Sequence, residues 1–227
     1  MKRIAEGIYL LESCGFVNAY LLEGTQDMTL VDAGPAKTAD ALLDELKDNG
    51  FSFKDVQRAV ITHAHADHCG ALTALMAKHR FKVYAHPKDI PALTGKAPRA
   101  PGGLKSFCMG FFHEPLQPWE PIDVALPVEP GQPVRGLPQW QILHLPGHTE
   151  GSLGLYHPTR QVLLCGDALS NRGGRLHLPA QSYLKDAAAA RSTLESLAKM
   201  DCDVLACGHG PLIRGGAFRF IGKLLQS

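Results

Sequence analysis

Residues 58–68 read RAVITHAHADH. A short apolar run, Ala59 to Ile61, breaks at Thr62 into His63, His65, Asp67 and His68. Three imidazoles and a carboxylate within six residues cannot all be buried without a shared counter-charge. Three further strand-like runs end in the same way. ILHLPG (142–147) leads into His148, VLLCG (162–166) into Asp167 and VLACG (204–208) into His209. Imidazole and carboxylate ends gathered at one sheet edge suit a borderline divalent metal such as zinc. Five His and two Asp are too many for one tetrahedral ion. They suit two ions about 3.5–4 Å apart that share a carboxylate. Of the remaining histidines, none is assigned to metal, and His144, inside a strand, is expected in the core or behind the ligands.

Working outward, IYLLES (8–13), NAYLLEG (18–24) and MTLVDAG (28–34) predict an antiparallel start. The spacing of Ala41, Leu42, Leu43 and Leu46, with Gly50 as a stop, predicts a helix over 38–49. A second helix is expected over 71–79 and a strand at FKVYAH (81–86). Residues 87–138 are rich in proline and predict an irregular insertion with one short helix. Strands WQILHLPGH (140–148), SLGLYH (152–157) and QVLLCGD (161–167), a helix over 186–200, the strand DVLACGHG (203–210) and an amphipathic helix AFRFIGKLL (217–225) complete the chain. In that last helix Phe218, Ile221 and Leu225 are expected to face the body, with Arg219 and Lys223 in solvent. The two halves repeat one order of elements, which suggests a duplicated architecture within a single domain spanning 1–227.

With 227 residues, 45% hydrophobic and 20% charged, the chain can bury about 70% of its unfolded surface and is neither fibrous nor disordered. Lys+Arg 23 against Asp+Glu 22 leaves a net charge of +1, which argues against nucleic acid or an anionic membrane as partner. The absence of a long apolar run and of a signal-type segment leads us to expect a cytoplasmic protein. Its six scattered cysteines are expected to be buried thiols. The expected partner is a small acyl substrate, with a homodimer as a possible assembly.

The motifs VDAG (31–34), THAHADH (62–68), PGHTEGS (146–152), CGDAL (165–169) and CGHGP (207–211) together resemble the metallo-β-lactamase superfamily over essentially the whole chain. The resemblance implies a four-layer αββα sandwich. It also implies two divalent ions, zinc first, with iron or manganese as alternatives. By the motif match His63, His65 and His148 hold metal 1, and Asp67, His68 and His209 hold metal 2. Asp167 bridges them, and Asp32 supports the site from below. The branch resembled is that of glyoxalase II, small thioesterases and lactonases. Glyoxalase II adds a C-terminal basic region, whereas eighteen residues follow His209 here, so glutathione is not expected to be the main handle.

That resemblance implies a metal-bridging hydroxide attacking an acyl carbon, with Asp67 and Asp167 as the catalytic carboxylates and Asp67 orienting the water. No residue in the motifs is placed to protonate an amine. A thiolate, from a thiol of pKa about 8.5, can leave unprotonated. Thioester hydrolysis is therefore expected first, lactone hydrolysis next and amide hydrolysis last. A mono-iron persulfide dioxygenase is the alternative outside hydrolysis, and a purely structural zinc site is disfavoured because such sites are cysteine-rich and closed. Phe107, Met109, Phe111, Phe112 and Trp119 are expected to line the substrate mouth. Arg172 and Arg175 are candidates to meet an anionic tail, and the Tyr183 hydroxyl to donate to an oxyanion.

Overall fold

The computed structural model describes residues 1–98 and 119–226. Phe107, Met109, Phe111 and Phe112 lie outside the described residues. The chain opens with an antiparallel run of β1 (Lys2–Ala5), β2 (Ile8–Leu11), β3 (Ala19–Glu23) and β4 (Met28–Val31). Then β5 (Val56–Val60), β6 (Lys82–Ala85) and β7 (Leu126–Pro127) add in parallel, giving a seven-stranded sheet in chain order. The second sheet has five strands. Here β8 (Pro133–Val134), β9 (Leu137–His144), β10 (Leu153–His157) and β11 (Val162–Gly166) form an antiparallel run, and β14 (Val204–Cys207) adds in parallel to β11. Each half therefore builds an antiparallel meander and then extends its edge in parallel. A hairpin of β12 (Ser170–Arg172) and β13 (Arg175–His177) stands apart.

Side chains alternate between the two faces of a strand, and both sheets use both faces. In the first sheet Leu21, Leu30 and Ala59 pack outward against α1 (Ala39–Asp48) and α3 (Leu72–Lys78). Their neighbours Tyr20, Leu22, Val31 and Val60 point inward and meet Val162, Leu164, Val204 and Ala206 of the second sheet. Leu163, Cys165, Leu205 and Cys207 point to the far side, against α5 (Ala187–Leu197) and α6 (Ala217–Gln226). Two-sided burial explains why these strands read as unbroken apolar runs rather than alternating ones. The layers are helix, sheet, sheet, helix: an αββα sandwich.

α1 turns Leu42 and Leu46 inward, as its spacing predicts. α5 starts where the Asp186 side chain caps the Ala189 N–H at 2.9 Å. Two short helices, α2 (Ala66–Cys69) and α4 (Ile90–Leu93), follow β5 and β6.

The structure corrects three expectations. Residues 87–138 contain α4, β7, β8 and the first residues of β9, so the segment extends both sheets. Trp119 is 3% exposed and packs in the core beneath the first sheet, not at a substrate mouth. In α6 Ile221 is buried and Leu225 packs on the body, but Phe218 is 40% exposed, with the Arg219 guanidinium over its ring. The five described cysteines are buried, and among the described residues no helix is long and apolar enough to cross a membrane.

Candidate metal centre

Both sheets deliver polar residues to one end of their inner strands. The β5 exit carries His63 and His65 and runs into α2, which carries Asp67 and His68. The second sheet brings His148 between β9 and β10, Asp167 after β11 and His209 after β14. All seven side chains named from the sequence converge. Three groups of donor atoms lie within 4.8 Å of one another: His63, His65 and His148; His63, His68 and Asp167; Asp67, His68 and His209.

The histidines are held by their outer nitrogens. His148 Nδ1–H donates to the Tyr183 carbonyl at 2.9 Å, and His209 Nδ1–H donates to the Phe16 carbonyl at 3.1 Å. His68 Nδ1–H donates to Asp32 Oδ2 at 2.8 Å. The Thr62 hydroxyl donates to the same Oδ2 at 2.8 Å, so its oxygen accepts from His63 Nδ1–H at 3.1 Å. These bonds place a proton on Nδ1 in four rings and aim Nε2 inward, the usual support of a metal-bound imidazole. His65 is reversed: its Nδ1 faces inward and its buried Nε2 meets no hydrogen-bond partner among the described residues.

The centre contains two electrostatic environments. His148 Nε2 lies 3.2 Å from His63 Nε2 and 2.9 Å from His65 Nδ1. Lone pairs this close repel unless a proton or cation sits among them. Burial and the neighbouring imidazoles push His63 well below its usual range and His65 to about 4. Burial also lowers His148, against the pull of Asp167. A proton is therefore not the answer at neutral pH. Three imidazole nitrogens around zinc at 2.0–2.1 Å would sit about 3.3 Å apart, close to the spacing here.

On the other side, His209 Nε2 lies 3.4 Å from Asp67 Oδ2 and 3.2 Å from Asp167 Oδ2. His68 Nε2 lies 3.4 Å from Asp167 Oδ1. Burial works against the His209 cation, but Asp167 and Asp67 raise it to about 10. His68 is raised for the same reason, by Asp167, Asp67 and Asp32 against burial. Burial disfavours the Asp67 carboxylate, yet His68 and His209 hold it at about 2. Without ions this half meets its need for positive charge with protons. Asp167 faces both halves, since its Oδ2 is also 3.5 Å from His148 Nε2. Gly208 makes this approach feasible: a Cβ there would lie 2.7 Å from His68 Cε1 and closer still to Asp167 Oδ1.

The floor is Asp32, 1% exposed, which also accepts the Thr62 N–H at 2.8 Å. Arg172 and Arg175 are exposed and face each other across the β12–β13 hairpin. Tyr183 meets the centre through its carbonyl. His144 stands away from it, stacked on His86 at 4.3 Å, with its Nε2–H donating to the Glu150 carbonyl. Sequence reasoning missed Thr62, which orients His63, and Phe16, whose ring stacks on His209 at 5.8 Å. It also missed Asp89, a buried carboxylate behind His63 and His148. Only Thr62, adjoining the first ligand, carried any signal in the chain itself.

A histidine–aspartate cluster at the joined ends of two sheets, inside an αββα sandwich, defines a metallo-hydrolase class of site. The chain belongs to the metallo-beta-lactamase superfamily, whose family model matches residues 13–209. It is 29% identical over 239 residues to the probable metallo-hydrolase YflN of Bacillus subtilis (strain 168), covering 95% of this chain and 88% of that one. It is 32% identical over 194 residues to a hydroxyacylglutathione hydrolase of Dechloromonas aromatica (strain RCB). That match takes in 84% of this chain but only 56% of the relative's length. Among solved structures, a metallo-beta-lactamase family protein of Thermus thermophilus superposes with a TM-score of 0.75 at 23% identity, over 99% of this chain and 80% of that one. TTHA1623, solved in a di-iron-bound form, gives a TM-score of 0.65 at 30% identity, over 87% and 89% of the two chains.

Proposed function

We propose that this protein is a two-metal hydrolase of acyl thioesters. His63, His65 and His148 would hold one ion and Asp67, His68 and His209 the other, with Asp167 shared. The observation that carries the reading is the inward array of imidazole nitrogens with Asp167 reaching both halves. When bound, the ions supply Lewis acidity and make water a nucleophile near neutral pH. Zinc suits the imidazole trio; the di-iron relative keeps iron in view.

The chain's own residues do the rest. The Asp67 carboxyl is ionised at neutral pH and would accept a hydrogen bond from the attacking water, orienting it. Its carboxyl, held at about 2, stores a proton poorly. His68 and His209 would be engaged as ligands through Nε2, so neither would serve as an acid. A leaving group must then depart without a proton. A thiol of pKa about 8.5 does so readily, an alkoxide with more difficulty and an amine least. The hydroxyacylglutathione hydrolase relative supports the thioester class, and lactone hydrolysis is the second reading by the same leaving-group order. Arg172 and Arg175, exposed and paired across the β12–β13 hairpin, would be the cations to meet an anionic tail of the substrate.

Protein loaded with zinc, and separately with iron or manganese, should be assayed at equal concentrations against an acyl thioester, a lactone, a β-lactam and a phosphodiester. Thioester turnover should be the fastest. A phosphodiester or β-lactam as best substrate would overturn the proposal.

A further inference from the structure

Asp89 lies outside every motif that marks the centre, between β6 and α4. The residue is 5% exposed, and among the described residues no lysine or arginine pairs with it. Three donors from two loops converge on it instead. Oδ2 accepts the Ala64 N–H at 3.0 Å and the Thr149 hydroxyl at 2.9 Å. Oδ1 accepts the Gly151 N–H at 3.1 Å. Ala64 sits between His63 and His65, and Thr149 directly follows His148. One carboxylate therefore fastens both segments that carry the imidazole trio. These segments come from different sheets, since 63–65 leave β5 and 148–151 enter β10. Ser152 locks the second loop further, accepting the Thr149 N–H at 3.0 Å. The contact is close by construction: a Cβ on Gly151 would lie 2.5 Å from Asp89 Oδ1 and 2.7 Å from its Cγ.

We infer that Asp89 is a positioning residue for the imidazole trio, setting the spacing of His63 and His65 against His148 across the two sheets. This rests on the two-metal reading above. Aspartate suits the task because three donors need an acceptor-only partner. Asparagine would turn its NH₂ toward at least one of those donors. The three bonds all hold backbone or neighbouring residues of one half of the centre. The effect should therefore fall on one ion and not on the other.

The test is zinc affinity of the full chain, measured by competition with a chromophoric chelator, for wild type and Asp89→Asn. The zinc held by the imidazole trio should weaken by about 10–100-fold, the range found when support behind a ligand is lost. The second zinc should keep its affinity, and kcat should fall with KM unchanged. A role confined to folding would lower the melting temperature of the chelated protein and leave both zinc affinities as in wild type; that result overturns the inference. Equal weakening of both zincs overturns it too. If Asp89→Asn does not fold, Thr149→Val and Gly151→Ala disturb single arms of the same carboxylate and should give a smaller loss at the trio's zinc alone. Wild type taking up two zincs while every variant matches it sinks Asp89 only. Wild type taking up none sinks the metal reading as well.

Discussion

The two halves of the centre use the same side chain to opposite ends. In the trio of His63, His65 and His148, imidazoles are packed among imidazoles and burial leaves them neutral. Beside Asp67 and Asp167, the imidazoles of His68 and His209 are held as cations. Histidine's ordinary value, about 6.5, lies close enough to neutrality for neighbours to decide its charge. The trio can accept a cation without releasing protons. The carboxylate half must first shed them, so ion uptake there is opposed by protons. The trio should load first and hold its ion more tightly.

The largest effect should come from removing the residue the halves share. Asp167→Ala should lose at least one ion and reduce turnover by about 10³-fold, which is roughly 4 kcal/mol of barrier. Elemental analysis with steady-state kinetics checks this, and full occupancy of both sites in the variant would break the bridging role. Next, His65→Ala and His209→Ala should part company in a metal titration. The first should remove the tight step and abolish turnover; the second should remove only the weak step. Loss of the same step in both would erase the distinction between the halves.

Asp32→Asn should act more gently, weakening the second ion by about 10–100-fold through His68. Isothermal titration of the singly loaded protein would show it.

The smallest effect concerns the ion-free protein, followed by urea unfolding across pH in the presence of chelator. His65 is depressed to about 4, so its contribution is full above pH 6.5 and is lost as pH falls toward 4. His209 is raised to about 10, so its contribution is full below pH 6.5 and is lost as pH rises through 10. His86, buried against His144 and also lowered to about 4 by burial first, adds to the acid side; His86→Phe should flatten that limb alone. An ion-free protein whose stability did not fall on both sides would contradict the contrast.

Much of this centre is legible in the chain because its residues sit where apolar strands end. RAVIT, VLLCG and VLACG are buried on both faces, and the polar residue that follows each can only emerge at the shared edge. The helix over 39–48 is legible from its spacing for a similar reason. What escaped has no periodicity to display. β7 and β8 are two residues each, too short for alternation to register. Trp119 stands in a proline-rich stretch where burial depends on packing against the first sheet. Asp89 looks like a surface acid beside Lys88. Only the meeting of two loops remote in sequence turns it inward. Phe218 shows the limit of helical spacing, since apolar phase alone did not say which edge of α6 the body covers.

Asp32 adopts a left-handed backbone with φ 57°, unusual for a residue other than glycine. Its carboxylate meanwhile serves Thr62 twice and His68 once. Glycine would relieve the backbone and abandon all three bonds. Glutamate would keep the charge but neither the reach nor the tolerance of that conformation. Asparagine keeps the backbone and turns a donor against a donor. In a saturation library selected for activity, position 32 should therefore be dominated by aspartate, with asparagine the one replacement that survives at a cost. Any drift of the surrounding floor must proceed with this residue nearly fixed.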